Sequence, residues 1–332
     1  MSGIATVFGG SGFVGRYIVQ RLARAKWRVR VAVRRPNEAL FVRPYGTPGQ
    51  VEVVGTNIRN EQSVARAVKG ADVVINCVGI LVETRSQKFS AVHGEAAGRV
   101  ARLAAAAGAR RLIHISSIGA DPESESRYAR SKGLGEAAIL DAFGEAVILR
   151  PSVVFGPEDR FFNKFAAIAR LSPVVPVICG NTRFQPVYVG DIAAAAMSAV
   201  ENNGCSGIFE LGGPEVESFR SLLQRMLFCI RRRRLVLEIP LPLARMKAGS
   251  LDILQFVSAG LFVNRFITLD QTRQLGHDNT VSGNEGVFSD LGIDPTAMDA
   301  VFDSYLYRFR PSGQFTAIHE SSAVIRKGGE RH

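Results

Sequence analysis

The stretch Ile4-Ala5-Thr6-Val7-Phe8-Gly9-Gly10-Ser11-Gly12-Phe13-Val14-Gly15 decides how this chain is read. An apolar strand runs directly into a glycine turn, and the turn runs directly into a helix whose apolar positions Val14, Ile18, Leu22 and Ala25 recur at helical spacing. Each glycine has a separate physical task. Gly9 permits the tight turn, Gly12 lets backbone approach a pyrophosphate, and Gly15 lets the helix lie close on the strand. The free N–H groups and the positive end of the helix dipole then face the phosphates. A glycine triplet alone is weak evidence, but this one sits between a strand and an amphipathic helix, where the motif acquires its meaning.

Working outward, strands and helices alternate. Arg28–Arg34 carries Val29, Val31 and Val33 in alternation, and Val51–Val54, Asp72–Cys77, Leu112–Ser116 and Ala146–Leu149 read as further strands. Helices are expected over 61–69, 91–107 and 128–143, and again over 187–200 before a last strand, Gly207–Leu211. This rhythm of near-continuous apolar strands predicts an α/β fold: a Rossmann-type, doubly wound parallel sheet covered on both faces, with every strand's carboxyl end on one edge. Prolines at 173, 176, 240 and 242 and the Gly212-Gly213-Pro214 turn break the pattern after Pro151. The expected organisation is a nucleotide-binding domain over 1–156 and 187–213, a smaller discontinuous C-terminal lobe over 157–186 and 214–307, and an extended or disordered tail over 308–332.

The 332 residues are 46% hydrophobic and 21% charged, enough for a real core. The net charge of +11 favours an anionic partner. Cys77, Cys179, Cys205 and Cys229 are scattered without metal-ligand spacing, so no metal site is expected and the thiols read as reduced. Ser2 and Gly3 leave no room for a leader before the first strand, and no run of residues has the length of a membrane span. The run Arg231–Arg234, followed by Leu251, Leu254, Val257 and Leu261 at helical spacing, reads either as small-lobe core or as a surface for an anionic membrane. No nucleic-acid recognition motif accompanies the basic residues.

Past the second strand, where a carboxylate would bond the ribose hydroxyls of NAD, the chain places Arg34 and Arg35, with no acid before Glu38. A guanidinium fork suits a 2′-phosphate, so NADPH is the expected cofactor. Asn57 and Asn76 stand at strand ends where they could reach the adenine or ribose, or could equally cap turns, and Gly79 lets backbone approach the ligand. Tyr128 and Lys132 lie four apart on one helix face. A nearby ammonium would lower the phenol's pKa and prepare it for proton exchange with a substrate oxygen.

Together, the glycine turn, Asn76–Gly79, Ser116-Ser117, Tyr128/Lys132, Arg150-Pro151-Ser152 with Phe155-Gly156-Pro157, and Gln185–Asp191 resemble the extended or atypical short-chain dehydrogenase/reductase superfamily over about the first 215 residues. Phe155–Asn163, with Asp141-Ala142-Phe143 and Gln185–Val189, is similar to the dehydrogenase-like accessory subunits of respiratory complex I. The resemblance implies a tightly held, structural NADPH contacted by Gly9, Gly12, Phe13, Val14, Gly15, Arg34, Arg35, Asn57, Ile58, Cys77, Val78, Gly79, Ser116, Tyr128, Lys132, Pro151, Ser152 and Val153. It implies other complex I subunits as partners, and a peripheral position on the cytoplasmic face of a bacterial inner membrane or the matrix face of a mitochondrial one. Active members of the superfamily carry a hydroxyl just past the fifth strand. The short gap to Tyr128 leaves Ser117 or Ile118 at that place, so Ser117, Tyr128 and Lys132 form a catalytic set that is either working or vestigial. The alternative to a structural subunit is a free NADPH-dependent reductase or epimerase acting on a small carbonyl compound.

Overall fold

The structure, a computed structural model, describes residues 3–84, 86–243, 246 and 269–313. The nucleotide domain contains β1 (Ile4–Phe8), α1 (Phe13–Arg24), β2 (Arg28–Val33), β3 (Val51–Gly55), α2 (Glu61–Val68), β4 (Val73–Asn76), α3 (Ala96–Ala106), β5 (Arg111–Ile115), α4 (Arg127–Ala142) and β6 (Val147–Pro151). Two short strands, β7 (Val154–Phe155) and β10 (Val187–Tyr188), pair in parallel. Between them lie α5 (Phe162–Leu171), β8 (Val174–Ile178) and β9 (Arg183–Phe184); after them come α6 (Val189–Glu201), β11 (Gly207–Leu211), β12 (Glu217–Ser218), α7 (Phe219–Cys229) and β13 (Leu235–Ile239). Short helices Leu269–Gln274 and Met298–Leu306 follow.

The main sheet has seven strands in the order β11-β6-β5-β4-β1-β2-β3, all parallel. The strand alternation visible in the sequence has a direct packing consequence. Ala5, Val7, Val29, Val31, Val73, Ile75 and Ile113 point to the face covered by α1 and α6. Phe8, Val74 and Leu112 point to the face covered by α2, α3 and α4. Because β1 lies between β4 and β2, connections leave it in both directions, and a crevice opens beyond the carboxyl ends of β1 and β4.

A second core, built around Phe155, Phe162, Phe184, Phe219 and Phe302, lies in the smaller lobe and includes β8, α7 and the Met298–Leu306 helix. The segment Phe155–Asn163 ties this lobe to the nucleotide domain. The buried Asp159 carboxylate accepts the Gly156 and Asn163 N–H groups and the Tyr305 hydroxyl, the last at 2.7 Å. Glu158 accepts the Tyr17 hydroxyl at 2.8 Å and pairs with Arg16 at 3.3 Å, both on α1.

Several local expectations change. The predicted 91–107 helix begins as a π-helical turn, Ser90–Glu95, which bulges before α3 continues. The predicted 187–200 helix gives its first two residues to β10. Residues 308–310, expected to open a loose tail, are pinned: Phe309 is buried, Arg308 donates to Pro157 O and Asn163 Oδ1, and Arg310 donates to Cys229 O. The arginine run is only half a surface feature, because Arg232 and Arg234 donate to the Phe309 and Ala169 carbonyls. The Leu251–Leu261 stretch and residues 314–332 lie outside the described residues.

Candidate functional site

The glycine turn has the geometry its spacing implies. Gly9 has φ +73°, a left-handed conformation that favours glycine, and its carbonyl accepts the Gly12 N–H at 2.8 Å. An added Cβ on Gly15 would stand 2.4 Å from Gly9 O and 2.8 Å from Gly10 Cα, so only glycine lets α1 approach this closely. Gly12 is the N-cap of α1 and supplies no side-chain cap, and no acidic residue occupies the first turn. The helix therefore offers unfilled N–H donors and positive dipole charge to an anion.

This turn forms one wall of a cleft of about 480 Å³. Gly9, Gly12, Arg34, Arg35, Asn57, Ile58, Cys77, Val78 and Gly79 line it. Arg34 and Arg35 extend past the end of β2, as their place in the sequence predicts. Arg34 makes no hydrogen bond or ion pair among the described residues, while Arg35 holds exposed Glu38 at 3.0 Å. Asn57 behaves as a turn former: its Oδ1 accepts the Arg59 N–H. Asn76 does the same for Val78 N–H at 3.1 Å, and at 1% exposure it shapes the cleft floor from beneath. Val14 packs against the core and is not among the residues that line the cleft.

Among the lining residues that sequence reasoning missed, two are basic. Arg16 donates to the Ser11 and Gly12 carbonyls and lies over the Phe41 ring at 4.8 Å, bracing the turn from outside. Arg59 adds a further positive charge at the mouth. A charged residue four places after Gly12, on the helix face that returns to the turn, was the available signal for Arg16.

The remaining candidates, Ser116, Ser117, Tyr128, Lys132, Pro151, Ser152 and Val153, gather around the ends of β5 and β6 and the first turns of α4, outside the lining of the open cleft. The helix can sit this deep because Gly133 and Gly135 have no Cβ; one at Gly135 would lie 2.1 Å from His93 O. Lys132 is buried and donates to Ile115 O at 3.2 Å. Burial lowers its pKa from 10.5 to about 8, against an opposing pull from Glu136. The phenol of Tyr128 is not lowered by Lys132 as expected. Burial raises it, and the only opposing influence is the neighbouring Ser117 hydroxyl, because desolvation outweighs any charge effect this deep in the fold. Ser117 thus stands at Tyr128, whereas Ile118 is buried and donates its N–H to Pro151 O. Ser116 Oγ and Ser117 Oγ have no partner of full hydrogen-bond geometry among the described residues.

His93 belongs to this group and was not foreseen. The π turn rotates it inward, where its Nε2 accepts the Ile80 N–H at 3.0 Å. Its proton therefore resides on Nδ1, facing Ser131 Oγ at 3.0 Å, and Ser131 in turn donates to Tyr128 O at 2.7 Å. Burial, aided by Lys132, lowers its pKa to about 3, so the ring is neutral. It ties the cleft-floor loop to the Tyr128 helix. His114, fully buried on β5 beside Lys132, is also held neutral by burial.

A glycine turn at the sheet's switch point, an uncapped helix N-terminus, arginines past β2 and a buried Ser116 hydroxyl with no partner among the described residues suit a dinucleotide. Fold and site together define a nicotinamide-dinucleotide-binding protein of the Rossmann class.

Comparison with known proteins agrees. The chain belongs to the NAD dependent epimerase/dehydratase family, whose pattern matches residues 5–212. It is 36% identical over 316 residues to NADH dehydrogenase (ubiquinone) 1 alpha subcomplex subunit 9, mitochondrial, of Arabidopsis thaliana, covering 93% of this chain and 79% of that one. It is 36% identical over 209 residues to ceramide reductase of Caulobacter vibrioides, covering 63% of this chain and 64% of that one. The fold matches the solved structure of gox2253 with a TM-score of 0.69 at 18% identity, over 94% of this chain and 99% of that one.

Proposed function

We propose that this chain is an accessory subunit of a respiratory NADH:ubiquinone oxidoreductase, complex I, and that it holds NADPH as a structural group. The observation that carries this reading is the 36% identity to the Arabidopsis subunit, sustained over 93% of this chain and so extending through the small lobe. The Phe155–Asn163 segment supports it, since Glu158 bonds Tyr17 of α1 while Asp159 bonds Tyr305 of the small lobe, a joining role. Arg34, which makes no hydrogen bond or ion pair among the described residues, and Arg35 would take the 2′-phosphate, and the α1 N-terminus the pyrophosphate. Lys132, Ser116 and Ser152 would meet the nicotinamide end. A ligand held far below its free concentration adds several kcal/mol to the folded state, about 4 kcal/mol at a thousandfold excess over Kd.

The small lobe supplies the surface that would face the other subunits and an anionic membrane. Leu171, Phe228, Leu235 and Leu237 are 82%, 87%, 63% and 52% exposed. Leu235 and Leu237, at alternate positions of β13, are brought near the end of α5, where Leu171 stands, because Leu235 N–H bonds Pro173 O and Arg234 bonds Ala169 O. Arg231 and Arg233 follow Phe228 within five residues. An apolar patch rimmed by arginines fits a peripheral position at the cytoplasmic face of a bacterial inner membrane or its mitochondrial counterpart. No helix among the described residues is long and apolar enough to cross a membrane.

Native purification from membranes in mild detergent tests the reading. The chain should co-migrate with a large NADH-oxidising assembly and carry NADPH that stays reduced during turnover. A chain recovered free of that assembly would overturn it. One observation favours the reductase alternative: Ser117, Tyr128 and Lys132 are assembled in one place. Bound NADPH would supply the hydride, and Tyr128 the proton, to a carbonyl. Under that reading Tyr128→Phe abolishes NADPH consumption with added ketones; no consumption by the wild-type chain removes the alternative.

A further inference from the structure

A segment that belongs to neither the glycine turn nor the sheet ties the N-terminus of α4 to the exit of β6. The Leu269–Gln274 helix brings Asp270 from the small-lobe half of the sequence against the N-terminus of α4. There Asp270 accepts the Arg127 N–H at 2.7 Å, the Tyr128 N–H at 3.1 Å and the Ser126 hydroxyl at 3.0 Å. Gln274 adds a bond to Ser126 Oγ, and Ser126 itself caps the Ala129 N–H. A carboxylate from a distant segment thus fills the first-turn donors of the helix that carries Tyr128 and Lys132, at its positive end.

Nine residues further on, the same segment reaches the other side of the site. Ser152, directly after β6, donates to Asn279, 2.7 Å to Oδ1 and 2.9 Å to the carbonyl. Asn279 is also bonded to Arg183 and Gln185 through the backbone, and Asp278 accepts the Arg183 N–H. Thr272, between these anchors, is fully buried. The strap therefore runs from α4, which carries Tyr128 and Lys132, to Ser152 at the exit of β6.

We propose that residues 269–279 form a latch over the nicotinamide end, with Asp270 as its positioning residue, so that nucleotide release requires the strap to lift from α4. This rests on the NADPH reading of the cleft and deepens it: the small lobe, which offers the docking surface, then sets how long the nucleotide stays. Whatever braces the lobe slows release, and by reciprocity bound nucleotide favours the docked form of the lobe.

The test uses the full-length chain loaded with NADPH. Dissociation is followed by the loss of nucleotide fluorescence after an excess of unlabelled competitor, and amide exchange is followed at Arg127 and Tyr128. Asp270→Ala is compared with Arg225→Ala, which removes ion pairs to Glu215, Glu217 and Asp299 in the small lobe and touches neither the strap nor α4. Asp270→Ala should release NADPH at least tenfold faster than wild type and at least fivefold faster than Arg225→Ala, with the two amides losing protection. A smaller separation from Arg225→Ala overturns the latch, because general loosening of the lobe would then account for the effect. A wild-type chain that binds no NADPH overturns the reading of the cleft itself, whereas tight binding that ignores Asp270 overturns only the latch.

Discussion

Replacing Lys132 by methionine should stabilise the nucleotide-free protein, although it removes a central site residue. The ammonium is 4% exposed and has one hydrogen bond, to Ile115 O, so folding strips it of most of its hydration. Its pKa falls from 10.5 to about 8. A base with a depressed folded pKa destabilises the fold in full below that folded value, and the penalty is lifted as pH rises toward the unfolded value. At about 1.4 kcal/mol per pKa unit, the penalty at pH 7 is about 3 kcal/mol. Methionine has similar volume and no charge, and losing the Ile115 bond returns about 1 kcal/mol. The net expectation is a gain of about 2 kcal/mol at pH 7. Urea unfolding of the nucleotide-free wild type and of Lys132→Met, at pH 7 and pH 9, measures it. The variant's advantage should shrink by about 1 kcal/mol at pH 9, where most of the folded wild type has already lost the proton. Subtracting the two proteins removes the effects of groups that do not feel Lys132, and Cys77, which does, stays protonated at both pH values because burial pushes its thiol up to about 12. A variant less stable than wild type at pH 7, or an advantage that does not change with pH, would refute the argument. With NADPH added the order should reverse, since the charge then has a ligand to meet.

Gly15→Ala places a methyl group 2.4 Å from Gly9 O, so α1 must shift; overpacking of about 1–3 kcal/mol exceeds the gain of up to about 1 kcal/mol in helix propensity, and both melting temperature and NADPH affinity should fall. Unchanged nucleotide affinity would mean that the turn does not hold the phosphates. Arg34→Asp should weaken NADPH by tenfold or more, from about 1.5–3 kcal/mol for a charged hydrogen bond, and NADH much less; an equal loss for both, by titration, would show that the 2′-phosphate lies elsewhere. Tyr305→Phe deletes the bond to buried Asp159 and should cost about 1–3 kcal/mol in denaturant unfolding, with no loss showing that the Asp159 turn is held by its backbone N–H bonds without the phenol.

The sheet and the glycine turn could be read from the chain because their determinants are local. Alternating valines at 29, 31 and 33 and the glycines at 9, 12 and 15 carry their geometry within a few residues. The rest depends on encounters between distant segments. Nothing near Asp270 announces that it caps a helix 142 residues earlier in sequence. His93 looked like an ordinary member of an alanine-rich helix, since the π turn that rotates it inward arises from packing against Gly135 and Ser131. The Tyr128/Lys132 spacing was legible, but the direction of the phenol's pKa shift was not, because spacing reveals proximity and not the loss of water. Phe155–Asn163 stood out as a motif, and its role as a junction emerged only when Tyr17 and Tyr305 were found on either side of it.

The aromatic core of the small lobe has a consequence for how the protein is made. Its side chains come from Phe155 through Phe309, whereas the seven-strand sheet has all its strands by Leu211. At about 5–20 residues added per second, the sheet can close several seconds before Met298–Leu306 is even synthesised. Throughout that interval Phe155 and Phe162 lack Phe302, the ring that packs edge-on against both. The nascent chain is therefore a natural client for chaperones that shield apolar surface, and a premature stop before Met298 would make that exposed state permanent.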